Sequence, residues 1–146
     1  MHYLIDIGSS TVKVYQSDRV GPTLLLARTF PFREGFDPES GLSLTNLEGL
    51  INFITKIKLD FSLSRANAKL FATGIFRDLT SPRSLVERVY AATGLFFNIV
   101  SHDLESFYLE TAWTGQYHDD EPLLVINIGG KTTELVLFQG REIVRR

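Results

Sequence analysis

The chain has no cysteine, and only one methionine and one tryptophan among its 146 residues. The missing thiols exclude disulfides, thiolate nucleophiles and cysteine-ligated metals, and they suit a reducing cytoplasm. With a formal net charge of −2 there is no basic excess. Phosphate-backbone binding needs a concentrated cationic face, so a nucleic-acid partner is not expected. No apolar run reaches the roughly 18 residues of a membrane span, and the N-terminus enters a strand pattern without the regions of a signal peptide. His2, His102 and His118 lack the spacing of zinc ligands. Ser9, Ser10 and Ser101 lack the G-x-S-x-G elbow and a paired His–Asp set, which argues against a serine hydrolase. What is present is an ordinary globular composition, 44% hydrophobic and 22% charged, long enough to bury a core.

Two glycine-hydroxyl stretches stand between short apolar runs. Asp6-Ile7-Gly8-Ser9-Ser10-Thr11 follows Tyr3-Leu4-Ile5 and precedes Val12-Lys13-Val14-Tyr15. Asn127-Ile128-Gly129-Gly130-Lys131-Thr132-Thr133-Glu134 follows Leu123-Leu124-Val125-Ile126 and precedes Leu135-Val136-Leu137-Phe138. Each reads as a tight β-hairpin turn. Glycine lets backbone N–H groups approach and wrap an anion, and the hydroxyls with a nearby lysine add donors. One such turn is weak evidence, because Gly-Ser hairpins are common; two copies of one pattern point to phosphate.

The order of elements carries more information than any single one. Strands are expected over 2–7, 11–17 and 22–32. A helix follows from about 46 to 60, opened by a Thr45/Glu48 capping box and marked by Leu47, Leu50, Ile51, Ile54 and Ile57 at helical spacing. Lys69–Thr73 reads as a fourth strand. Ser81, with Pro82 at the first helical position, opens a second helix that stops at Gly94. A fifth strand over 95–100 and a third helix from Ser101 to about Trp113 complete the order βββαβαβα, with Phe107, Tyr108 and Trp113 expected in the core. After a linker around Asp119-Asp120, the strand-turn-strand pattern begins again and runs through Arg141–Val144. This divides the α/β chain into residues 1–118 and the opening strands, 119–146, of a second unit.

That order and four motifs resemble the sugar-kinase, Hsp70 and actin superfamily, and within it the exopolyphosphatase and guanosine-pentaphosphatase (Ppx/GppA) branch. Asp6–Thr11 resembles the first phosphate loop of the branch, and Asn127–Glu134 its second, D-I-G-G-G-S-T-E. Ala72-Thr73-Gly74-Ile75-Phe76-Arg77 is similar to its A-T-S-A-x-R segment. Thr93-Gly94 with Ile99-Val100-Ser101-His102-Asp103-Leu104-Glu105-Ser106 is similar to T-G…V-I-S-G-x-E-E-A. The resemblance implies a ribonuclease H-like (actin-like ATPase) domain with a mixed five-stranded sheet, followed by the first strands of a second such domain. It also implies hydrolysis of terminal phosphate from inorganic polyphosphate or a phosphorylated guanosine nucleotide.

The roles implied by the resemblance follow residue by residue. Glu105 is the catalytic glutamate. Gly8, Ser9, Ser10, Thr11, Lys13, Arg77, Gly129, Gly130, Lys131 and Thr132 bind phosphates. Asp6, Asn127 and Glu134 hold Mg²⁺, an ion that keeps several waters and uses one or two carboxylates. Read without the resemblance, Glu105 is a solvated helix carboxylate, Asp6 an Asx-turn residue, Glu134 the partner of a cross-strand lysine, and Lys13 a solvent-facing strand lysine. Four positions depart from the pattern. Asn127 replaces an acid, Lys131 a glycine, and His102 with Leu104 stand where the fourth motif has a glycine and the first of its paired glutamates. Asn127, Lys131 and Lys13 also suit a non-catalytic, actin-like binding or assembly protein. Uncovered apolar strand faces in the second unit predict a piece of a longer protein, and a homodimer.

Overall fold

The computed structural model describes residues 2–18, 21–114, 121–128, 133–139 and 142–145. The chain divides into two compact units, 1–99 and 100–146. The division falls before the third helix, where the sequence reading placed it at 118/119.

The first unit opens with three antiparallel strands, β1 (His2–Ile7), β2 (Thr11–Ser17) and β3 (Pro22–Thr29). The third is shorter than the expected 22–32, because Phe30 and Phe32 leave the sheet to stack face to face at 4.8 Å in the core. Helix α1 (Leu44–Asp60) returns the chain to β4 (Ala68–Ala72). A short 3-10 helix (Gly74–Asp78) leads to α2 (Arg83–Thr93) and β5 (Phe97–Ile99). Both β4 and β5 run parallel to β1, so the sheet is mixed and ordered β3-β2-β1-β4-β5. This is the expected βββαβαβ order and the expected five-stranded sheet.

Period-two alternation sends Ile5, Ile7, Val12, Val14, Leu70 and Ala72 to one face, all fully buried. Helix α1 meets that face with Leu47, Leu50, Phe53, Ile54 and Ile57. Its N-cap is Ser43, whose hydroxyl accepts from the Asn46 N–H at 3.3 Å; Thr45, the expected cap, already lies inside the helix. Asn46 is buried and donates to the Pro31 and Glu34 carbonyls, at 2.8 and 3.0 Å, which ties the 31–36 turns to the helix start. Pro82 stands one residue ahead of α2 rather than inside it, and Gly94 closes that helix in the left-handed conformation at φ +70.

The second unit holds α3 (His102–Thr114), β6 (Pro122–Ile128), β7 (Thr133–Gln139) and β8 (Glu142–Arg145). The strands form an antiparallel sheet ordered β6-β7-β8. Its buried cluster is Val125, Val136 and Phe138, with Leu123 against it. Phe107 and Tyr108, expected in the core, are 53% and 48% exposed. Among the described residues that cluster does not include them; the side chain of Trp113 lies outside the described residues. Among the described residues no helix is long and apolar enough to cross a membrane.

Candidate functional site

The carboxyl ends of parallel strands are where open α/β sheets present their loops to ligands. In the first unit, β1 ends in the turn Gly8–Thr11 and β4 ends in Thr73 and the 3-10 helix. The turn is closed by the Gly8 N–H donating to the Thr11 carbonyl at 2.9 Å. The Ser10 carbonyl accepts from Phe30 N–H at 2.9 Å, which ties the turn to the end of β3. Ser10 is exposed, Gly8 and Thr11 are half-buried, and Ser9 is 6% exposed.

Two hydrogen bonds carry the β1–β4 pairing beyond the strand ends. Thr73 N–H donates to the Ile7 carbonyl at 3.0 Å, and Ile75 N–H donates to the Ser9 hydroxyl at 3.1 Å. Between them Gly74 has φ +64, a conformation that favours glycine, and a Cβ there would overlap the Ser9 hydroxyl. Arg77 lies in the last turn of the 3-10 helix, half-buried, while Ile75 and Phe76 anchor that helix in the core. The structure thus brings the Gly8–Thr11 turn and the Arg77 segment together, although they are far apart in sequence. Gly74 and Ile75 belong to the segment that the sequence singled out for Arg77, but their contact with Ser9 is what the sequence reading missed; the signal for it was a glycine just past an apolar strand.

Asp6 lies opposite Lys13 across β1 and β2, both half-buried, at the foot of the turn. On its other side Asp6 is level with Phe71 of β4. Asp6 therefore occupies a central strand and not an Asx-turn. Lys13 is flanked by Asp6 of β1 and by Ala27 of β3, in the middle of the sheet.

In the second unit, Asn127 is half-buried and lies opposite Glu134. The residue across from Glu134 is thus an amide, not the lysine of the bland alternative; its side chain lies outside the described residues, as do Gly129, Gly130, Lys131 and Thr132. Glu105 is half-buried in the first turn of α3. Ser101 caps that helix: its hydroxyl accepts from Leu104 N–H at 3.2 Å, and its carbonyl from Glu105 N–H at 3.0 Å. Asp103 and Glu105 in the first turn complement the positive end of the helix dipole. Among the described residues no group of three or more His, Cys, Asp or Glu could enclose a metal ion. Each unit by itself offers an oxygen donor suited to a hard cation that keeps most of its waters, the Asp6 carboxylate in the first and the Asn127 amide in the second.

Compared with known proteins, the chain matches the model of the Ppx/GppA phosphatase family over residues 14–145. The chain belongs to the Ppx/GppA phosphatase family. No curated protein sequence matches it. The crystal structure of the Aquifex aeolicus Ppx/GppA phosphatase is similar at TM-score 0.72 and 21% identity, covering 99% of this chain and 51% of that one. An exopolyphosphatase from Cytophaga hutchinsonii aligns at TM-score 0.76 and 14% identity, over 98% of this chain and 48% of that one. The ethanolamine utilization protein EutJ from Carboxydothermus hydrogenoformans aligns at TM-score 0.53 and 15% identity, over 99% and 49%. This Ppx/GppA family member thus spans about half the length of the solved structures it matches, and at these identities the likeness is one of fold.

Proposed function

We propose that the protein is a Ppx/GppA-type phosphohydrolase that removes terminal phosphate from inorganic polyphosphate or guanosine pentaphosphate. The observation that carries this reading is the glycine turn after β1, bonded to the segment that presents Arg77 and lying in a chain that matches the family model over 14–145. Hydrolysis of a phosphoanhydride needs an oriented water, a carboxylate to orient it or take its proton, and cations against the charge that spreads over the phosphoryl oxygens. Glu105 is the carboxylate. The hydroxyls of Ser10 and Thr11, with Lys13 and Arg77, hold phosphate oxygens at a turn where Gly8, its own N–H engaged by the Thr11 carbonyl, leaves room for the anion to approach; Gly129, Gly130, Lys131 and Thr132 of the second loop do the same. Asp6, Asn127 and Glu134 would hold Mg²⁺, which when bound neutralises phosphate charge and orients the chain of phosphates. An amide at 127 can still accept a hydrogen bond from a metal-bound water but carries no charge. Catalysis is therefore weaker than an acid at that position would allow.

A cytoplasmic homodimer belongs to the same proposal. A chain without cysteine suits a reducing compartment. The edge strand β3 exposes Leu24, Leu25 and Leu26 at 51%, 38% and 37%, an apolar edge of the kind that pairs with another chain.

Phosphate release with Mg²⁺ from polyphosphate, guanosine pentaphosphate and ATP tests the reading. Glu105→Gln is expected to lower turnover by ~10²–10⁴, the usual contribution of a general base. Binding without turnover in the unaltered protein would instead favour the second reading, a non-catalytic actin-like binding or assembly protein, for which Lys13, Asn127 and Lys131 are the supporting residues.

A further inference from the structure

We infer that Ser9 is a positioning residue: its hydroxyl locks the first glycine turn to the helix that carries Arg77, so that two anion-binding loops act as one cradle. The inference rests on the phosphate-binding reading above and changes the part Ser9 plays in it. Ser9 is 6% exposed, unlike its exposed neighbour Ser10, and its hydroxyl oxygen already accepts from Ile75 N–H at 3.1 Å. The first N–H groups of any helix have no acceptor within it and must find one elsewhere. Thr73, which precedes the 3-10 helix, makes no side-chain capping bond. Ser9 supplies the acceptor from the other loop, 66 residues away in sequence.

The fit is tight on both sides. Gly74 brings the backbone against Ser9 at φ +64, and a side chain there would occupy the hydroxyl's place. The neighbouring bond from Thr73 N–H to the Ile7 carbonyl prevents the two segments from sliding along each other. Ile75 and Phe76 are only 4% and 1% exposed, which anchors the 3-10 helix, and Arg77 follows at its end. Removing the hydroxyl leaves a buried N–H without its acceptor and releases the segment just ahead of Arg77. On this reasoning the Ser9 contribution to phosphate affinity passes through Arg77.

The test is a double-mutant cycle on the full chain, with inorganic tripolyphosphate as probe and calorimetry as the measure of binding. Arg77→Gln is expected to weaken binding by about tenfold, the worth of one charged hydrogen bond. Ser9→Ala should weaken it by a few-fold, and Ser9→Ala/Arg77→Gln should be no weaker than Arg77→Gln alone. Amide exchange at Ile75 should rise by about tenfold or more in Ser9→Ala and stay unchanged in Arg77→Gln. Multiplying losses in the double variant would overturn the proposal, since they would mean that Ser9 touches the anion itself; so would unchanged exchange at Ile75. If Ser9→Ala does not fold, Ser9→Thr, which keeps the acceptor, should bind within about twofold of the unaltered chain and keep the Ile75 amide protected. Absence of tripolyphosphate binding by the unaltered chain would overturn the proposal through the phosphate reading, an outcome distinct from normal binding with independent losses.

Discussion

The two glycine turns share a register and differ in what surrounds them. In the first hairpin the innermost pair is Ile7 with Val12, followed by Asp6 with Lys13 and Ile5 with Val14. In the second it is Ile128 with Thr133, followed by Asn127 with Glu134 and Ile126 with Leu135. Position for position the strands correspond. Yet Ile5, Ile7, Val12 and Val14 are fully buried, whereas Ile126, Ile128 and Leu135 are 52%, 77% and 51% exposed. The first hairpin belongs to a cluster that includes α1 and α2 side chains, while the second unit's cluster takes only the opposite face of its hairpin. Alternation alone therefore sets which residues share a face, and only a covering layer makes that face a core. The pairs at the feet of the turns differ as well. An acid faces a base in the first and an amide faces an acid in the second, so the formal charge is balanced in one and negative in the other.

The comparison breaks most visibly in stability. Ile7→Ala is expected to cost about 2–5 kcal/mol, as large-to-small changes at sealed sites do, whereas Ile126→Ala should cost under about 1 kcal/mol. Urea unfolding midpoints would show it, and equal losses would mean that the second face is covered in solution. Next in size is the charge difference. Asn127→Asp should lower the Mg²⁺ concentration for half-maximal phosphate release by about tenfold, and Asp6→Asn should raise it similarly, because each changes the charge of the donor set by one. A magnesium titration that moves in neither variant would remove both residues from the metal site.

A smaller effect comes from the cross-strand pair. Lys13→Glu sets like charges opposite each other and should destabilise by about 0.2–1 kcal/mol, and adding Asp6→Asn, which reproduces the pair of the second hairpin, should recover part of that loss. Thermal unfolding at low salt would read both. The smallest effect lies in the first unit outside either hairpin. The Asp37 carboxyl accepts from the Ser40 N–H, the Ser40 hydroxyl and the Glu39 N–H, which hold its pKa below the ordinary carboxylate value. A lowered folded value stabilises above the unfolded pKa and fades as pH falls through the lowered one. Protection of the Ser40 amide, its exchange taken relative to the intrinsic rate at each pH, should therefore be full near neutrality and fall in acid, and Asp37→Ala should abolish that dependence.

Most of the scaffold was legible because its signals are local. Leu47, Leu50, Ile54 and Ile57 recur at helical spacing, and the β1, β2, β6 and β7 runs alternate or stay apolar between glycines. Misplaced details were those that neighbours decide. Ser43 caps α1 because its hydroxyl meets Asn46, and β3 ends early because Phe30 stacks on Phe32. Phe107 and Tyr108 are exposed although their apolar rings suit a core, because a helix's own pattern does not say which of its faces a neighbour covers.

For the candidate site, the sequence by itself determined the glycine turn after β1, the acid or amide at the end of β1 and of β6, and Glu105 just inside a helix, since turn chemistry and capping act over a few residues. Only the tertiary structure decided that Asp6 faces Lys13, that Ser9 is buried, and that its hydroxyl takes the Ile75 N–H from a distant loop. Those facts depend on strand register and on the parallel pairing of β1 with β4, which join segments far apart in the chain through hydrogen bonds that no local pattern encodes.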